Sequence, residues 1–143
     1  MDNQEVNFFF EDVDQNSLDR PPNNKWLKNS LLSFSQEQFS ISYIFCSDDY
    51  LLKINRDFLD HDYYTDIITF NNSEENDDLL ESDIFISVDR VRENAKENSM
   101  QFSDEMDRVM IHGILHLVGY NDKTNEEQEI MTQMEDKYLA LRP

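Results

Sequence analysis

Apolar and polar positions along the chain alternate with period two in some stretches and recur at helical spacing in others. Residues 6–10 (VNFFF) read as a short buried strand. Pro21 and Pro22 break the chain ahead of a helix near residues 25–32, which carries Trp26, Leu27, Leu31 and Leu32. Residues 35–38 make a turn or one last helical turn, and residues 39–46 (FSISYIFC) alternate as a strand. Ser47 is placed to cap a helix through Leu59, with Leu51, Ile54, Asn55 and Phe58 on one face. Residues 60–64 connect to two further strands, at 66–70 (DIITF) and 83–88 (DIFISV). Between these, residues 71–82 are dense in Asn, Asp and Glu and read as a solvated, mobile loop. A helix over residues 89–99 turns Val91 and Ala95 inward. Ser103 then caps a helix running to Val118, whose second half is apolar on every side except at His112 and His116. That helix is expected to be central, and Gly119 stands where a left-handed residue would end it. Thr124 and Glu127 have capping-box spacing for a last helix to about Leu139, with Ile130, Met131, Met134 and Tyr138 inward. This order predicts an α+β fold, a single four-stranded sheet with about five helices packed on it.

Length and charge narrow the classes. The chain has 143 residues, which suits one domain over residues 1–143. There are 12 Lys and Arg against 31 Asp and Glu, a formal charge of −19 that argues against broad, non-specific nucleic-acid binding, DNA included. Aromatic residues at 12% supply a core despite that charge. Cys46 is the only cysteine, so no intrachain disulfide forms. No apolar run is long enough to span a membrane, and the acidic start (MDNQE) lacks a basic secretory n-region. The expected setting is cytoplasmic, with no membrane partner.

The chemistry is concentrated in one place. The only two glycines, Gly113 and Gly119, and two of the three histidines fall within residues 112–119. His112 and His116 are four apart on a helix, so their rings share one face, and Asp122 follows the helix-ending Gly119. The offsets His-x3-His-x2-Gly-x2-Asp match those of the zinc-protease pattern H-E-x-x-H-x-x-G-x-x-H, with Asp in the third ligand position. Gly113 occupies the place of the protease's general-base Glu. Two imidazoles in a core without partners would cost at least a few kcal/mol, which one divalent ion would offset. A metal site at the end of the central helix is therefore expected, with His112, His116 and Asp122 as ligands. Two His and a carboxylate suit zinc with one open position; ferrous iron suits the same set. Gly inside a helix costs ~1 kcal/mol relative to Ala, so Gly113 serves either close backbone packing or room for substrate.

These residues resemble the YbeY family of metal-dependent endoribonucleases and ribosomal RNA maturation factors. The family motif H-G-x-L-H-L-x-G-Y-D-H reads here as HGILHLVGYND over residues 112–122. The family segments L-N…T-D-V-L-S-F and G-D-I-x-I-S appear as Ile54-Asn55…Thr65-Asp66-Ile67-Ile68-Thr69-Phe70 and Ser82-Asp83-Ile84-Phe85-Ile86-Ser87. The resemblance spans residues 41–139. It implies one divalent metal ion, zinc in the first instance, and single-strand-specific endoribonuclease activity in small-subunit 16S ribosomal RNA processing. It also implies ribosomal RNA and the small ribosomal subunit or its proteins as partners. The chain departs from the family twice. The third ligand, usually His, is Asp122, and the family's Arg four residues after the Leu-Asn pair is Leu59 here. Arg56, one turn earlier, is the candidate substitute in catalysis; as a bland alternative it is a solvated surface Arg.

His61 is a loop histidine or a distant ligand. Thr65 and Asp66 line the cleft or serve a turn. Lys53, Arg56, Arg90, Arg92, Lys96, Arg108 and Lys123 form a positive strip beside the metal, or they are scattered ion pairs. Two rival functions stand beside the nuclease, a metalloprotease-like hydrolase and a non-enzymatic ribosome assembly factor with a structural metal.

Overall fold

The alternation over FSISYIFC sets the layers of the computed structural model, which describes residues 3–75 and 77–143. Phe39, Ile41, Tyr43 and Phe45 point to one face and are fully buried, while Ser40 and Ser42 lie on the other. The sheet is built from β1 (Gln4–Phe10), β2 (Gln38–Cys46), β3 (Ile67–Asn71) and β4 (Leu79–Ser87), in the order β1-β2-β4-β3. β1 and β4 run parallel to β2; β3 is an antiparallel edge strand on β4. The helices are α1 (Asn24–Ser33), α2 (Asp48–Leu59), α3 (Val88–Glu97), α4 (Phe102–Leu117) and α5 (Asn125–Leu139). The α+β class, the four strands and the five helices are as expected.

The main core lies where α4 crosses the sheet. Met110, Ile111, Ile114 and Leu115 of α4 are fully buried against Tyr43, Phe45, Ile84 and Ile86, and α1, α3 and α5 flank them. Each such side chain contributes about 1.5–3 kcal/mol through burial. The Tyr43 hydroxyl donates to the Met110 carbonyl at 2.8 Å, which pins the sheet to α4 two residues before His112. A smaller cluster on the other face joins Cys46 and Ile68 to Leu51 and Ile54 of α2.

Local signals set most helix starts. The side chains of Asn23, Ser47 and Ser87 accept from Trp26, Tyr50 and Arg90 amides at the starts of α1, α2 and α3. Thr124 and Glu127 form the complete capping box of α5. Ser103 does not cap α4. That helix begins at Phe102, and Gln101 stands at its cap without a side-chain bond. Asp104 and Glu105 in the first turn face the positive end of the helix dipole instead.

The loop expected over residues 71–82 is shorter than predicted. β4 begins at Leu79, four residues early, because Leu79 to Ser82 pair with Gln38 to Ile41 of β2. Leu80 enters the core and Ser82 donates to the Phe70 carbonyl at 2.7 Å. Asn76 lies outside the described residues. Two expected core residues are exposed. Phe58 is 71% exposed and makes a T-shaped contact with Phe70, and Ile130 is 42% exposed while the carboxylate Glu135 turns inward.

Cys46 is fully buried, and burial, reinforced by Asp12, Glu11, Asp89 and Asp48, pushes its thiol up to about 12. The native protein is expected not to react with a thiol-specific disulfide reagent at pH 8, and to release one equivalent only in denaturant. Full reaction of the native protein within minutes would contradict this packing.

Candidate metal centre

The end of α4 brings the three expected ligands together. Gly119 has φ of +113°, a conformation that side chains resist, and nothing lies near its missing Cβ. Its amide donates to the His116 carbonyl at 3.1 Å, and the Tyr120 amide donates to the Leu115 carbonyl at 2.9 Å. This pair of bonds ends the helix and folds the chain back, so that Asp122 faces the last turn of α4. Gln128 of α5 donates to the Asp122 carbonyl at 3.1 Å and holds the returning segment.

The rings of His112 and His116 lie 4.7 Å apart, centre to centre. Asp122 Oδ2 is 3.4 Å from His112 Nε2 and 3.3 Å from His116 Nε2. One donor atom from each residue falls within 4.8 Å of the others. Ligands at about 2.0–2.2 Å from a common ion have separations of this size. Two imidazole nitrogens and one carboxylate oxygen are a donor set for zinc and equally for ferrous iron. The three residues could therefore hold a single divalent ion.

The group opens into a cleft of about 450 Å³. Its far wall is the edge strand β3 and the residues before it, with Thr65, Asp66, Ile67, Thr69 and Asn71 facing His112, His116 and Asp122. Thr65 and Asp66 are thus cleft residues. Burial pushes the Asp66 carboxyl above its ordinary range. A second cavity of about 310 Å³ also reaches His112 and Asp122 and is lined by Asp66, Glu105, Arg108 and Glu135. Glu105 is also pushed up, by burial first and then by Asp66 and Glu135.

His112 is tightly surrounded. Its Nδ1 lies 2.6 Å from Glu135 Oε2. Burial works to lower the pKa of its ring, but the bond to Glu135 and the charges of Glu135, Asp122 and Asp66 outweigh that and raise it. Gly113 has a packing role. A Cβ there would stand 3.1 Å from Ile84 Cδ1 and 3.2 Å from Ile67 Cδ1, so the bare backbone lets α4 lie close on β3 and β4.

Four arginines of the expected strip are held in ion pairs. Arg56 pairs with Asp62 at 2.6 Å, Arg90 with Asp48 at 2.7 Å, and Arg92 with Asp19 at 3.4 Å. Arg108 pairs with Glu135 and Asp136 at 2.9 and 2.6 Å. No Lys or Arg lines the larger cleft among the described residues. Arg56 is exposed beside Asp62 and does not line that cleft. His61 is an exposed loop residue stacked on Tyr63, with Nδ1 3.1 Å from the Tyr63 hydroxyl.

The family model described as Endoribonuclease YbeY matches residues 10–141. The chain belongs to the YbeY family. An Endoribonuclease YbeY from Cytophaga hutchinsonii is 49% identical over 142 residues, covering 99% of each chain. The Endoribonuclease YbeY of Bacteroides thetaiotaomicron is 45% identical over 137 residues, covering 96% of this chain and 98% of its own. The solution structure of TM1509 from Thermotoga maritima superposes with a TM-score of 0.62 at 27% identity, covering 94% of this chain and 87% of that one. This YbeY family member thus shares the fold of that structure along nearly its whole length.

One contact escaped the sequence pattern altogether. Met131, Glu135 and Tyr138 sit at i, i+4 and i+7 on the buried stripe of α5, and Glu135 is only 7% exposed. A carboxylate on an apolar stripe is the available signal, because such a group needs a buried partner.

Proposed function

We propose that this chain is a metal-dependent endoribonuclease that processes small-subunit 16S ribosomal RNA during ribosome maturation in the cytoplasm. It acts as one hydrolase domain on single-stranded RNA, with ribosomal RNA and the small subunit or its proteins as partners. One divalent ion, zinc in the first instance, is held by His112, His116 and Asp122. The observation that carries this reading is the convergence of those three donor atoms within 4.8 Å at the mouth of a polar cleft. The RNA substrate is taken from the relatives, which are Endoribonuclease YbeY proteins.

Such an ion supplies Lewis acidity toward a phosphoryl oxygen and makes water a stronger nucleophile near neutral pH. The chain supplies the rest. Thr65, Thr69 and Asn71 offer uncharged hydrogen-bonding groups that receive a ribose-phosphate segment along β3. Asp66 lines the same cleft and offers its carboxyl oxygens to a sugar hydroxyl. With no cation lining this cleft among the described residues and an overall charge of −19, affinity for naked RNA is weak and the assembled ribosomal particle supplies the rest of the binding.

A three-substrate comparison tests the proposal. Zinc-loaded protein is offered single-stranded RNA, DNA of the same sequence, and casein. RNA is cleaved and the other two survive, since the protease's Glu is Gly113 here and DNA lacks the 2′-hydroxyl. Turnover of casein, or equal cleavage of DNA, would overturn the reading.

A further inference from the structure

Glu135 is one of three buried carboxylates among the described residues, with Glu105 and Asp107, and its two oxygens have separate tasks. Oε1 accepts from Arg108 Nη1 at 2.9 Å, while Arg108 Nη2 also reaches Asp136 at 2.6 Å. Oε2 lies 2.6 Å from His112 Nδ1, the shorter of the two Glu135 contacts. A carboxylate only accepts, so the proton of this bond sits on Nδ1 and the lone pair of the ring is left on Nε2. Nε2 is the atom that faces Asp122.

A plain tie between α4 and α5 is the competing explanation. Arg108 already makes that tie twice, to Glu135 and to Asp136, and an ion pair needs no histidine. A buried carboxylate is costly to desolvate, and here the expense falls next to a ring whose direction decides the site. His116 has no such support. Among the described residues its only polar side-chain partner is Asp122. The two imidazoles are therefore unequal, one oriented from behind and one free to adjust.

We propose that Glu135 is a positioning residue of the metal centre: anchored by Arg108, it accepts the Nδ1–H of His112 and so holds the Nε2 lone pair toward the ion. This rests on the reading of His112, His116 and Asp122 as ligands. Arg108 fixes the carboxylate, the carboxylate fixes the tautomer and the ring plane, and the ring plane fixes one ligand direction before any ion arrives. Partners of this kind behind a ligating histidine typically contribute 10–100-fold in affinity.

The test measures zinc affinity by chelator competition in the parent, Glu135→Gln and Glu135→Ala, and reads the His112 tautomer in metal-free protein at pH 9 by long-range proton–nitrogen correlation. Glu135→Gln keeps the volume, so it remains informative if the alanine variant fails to fold. Zinc binding weakens roughly 10–100-fold in Glu135→Ala and by a smaller factor in Glu135→Gln. Metal-free parent carries the His112 proton on Nδ1, and both variants shift it toward Nε2. A merely structural tie would lower thermal stability without moving the tautomer. Zinc affinity within twofold of the parent in both variants, or an Nε2 proton in the parent, overturns the proposal and leaves the ligand reading intact. A parent that binds no divalent ion overturns the ligand reading, and the proposal with it.

Discussion

His116→Ala lowers RNA cleavage by roughly a thousandfold or more and removes the thermal stabilisation that zinc gives the parent. The estimate follows from the several kcal/mol of transition-state stabilisation that a bound ion supplies, each ~1.4 kcal/mol being tenfold in rate. His116 is the most informative of the three ligand positions, because its ring is about a third exposed and makes no bond to α5. His112, by contrast, is tied to Glu135, so its replacement disturbs helix packing as well as the site. Metal-free His116→Ala is expected to melt within a few degrees of metal-free parent. Added zinc at a hundred times its dissociation constant stabilises the parent by ~2.7 kcal/mol and leaves the variant unchanged. If cleavage survives in His116→Ala while the zinc-dependent stabilisation disappears, the ion serves the fold and cleavage does not depend on it.

The second large effect concerns stability. Gly113→Leu is expected to destabilise the protein by about 3 kcal/mol, since overpacking a filled interface costs typically 1–3 kcal/mol and this side chain has nowhere to go. The nearest atoms to a Cβ are the δ-methyls of Ile84 and Ile67, at 3.1 and 3.2 Å. A single methyl asks those ends to yield by a few tenths of an ångström, and the ~1 kcal/mol gained by replacing Gly in a helix works against that strain. Gly113→Ala is therefore expected within ~1 kcal/mol of the parent, a balance of the helix gain and the crowding. A melting temperature lowered by roughly 10 °C in Gly113→Leu and nearly unchanged in Gly113→Ala supports close helix–sheet approach as the reason for this glycine. An unperturbed Gly113→Leu would show that the space between α4 and the sheet is looser than its contacts indicate.

How much of this was legible in the sequence depends on how local each cause is. Ser47, Thr124 and Gly119 act within a few residues of themselves, so the starts of α2 and α5 and the end of α4 could be read directly. The alternation of Phe39, Ile41, Tyr43 and Phe45 likewise needs no partner to be seen. The early start of β4 is different. Leu79 and Leu80 are strand residues because Gln38 and Phe39 of β2 lie beside them, and the acidic run before them masks the pattern. Phe58 looks apolar and inward by spacing, yet its turn of α2 extends past the smaller core and leaves it in solvent. The cluster of His112, His116 and Asp122 was visible because its geometry is that of one helix and one turn. Glu135 was not, because nothing within α5 reveals that His112 waits across the interface. The arginines follow the same rule, as Arg90 and Arg92 find Asp48 and Asp19 far away in sequence.

The central claim is that His112, His116 and Asp122 share one divalent ion. Metal content of the protein purified without added chelator, measured by elemental analysis on the parent and on the His112→Ala, His116→Ala double variant, tests it most directly. About one equivalent of zinc per parent chain is expected, as befits a site with a single set of three protein ligands, and none in the double variant. Equal metal content in both proteins, or a parent that takes up no divalent ion when zinc or ferrous iron is supplied, would contradict it.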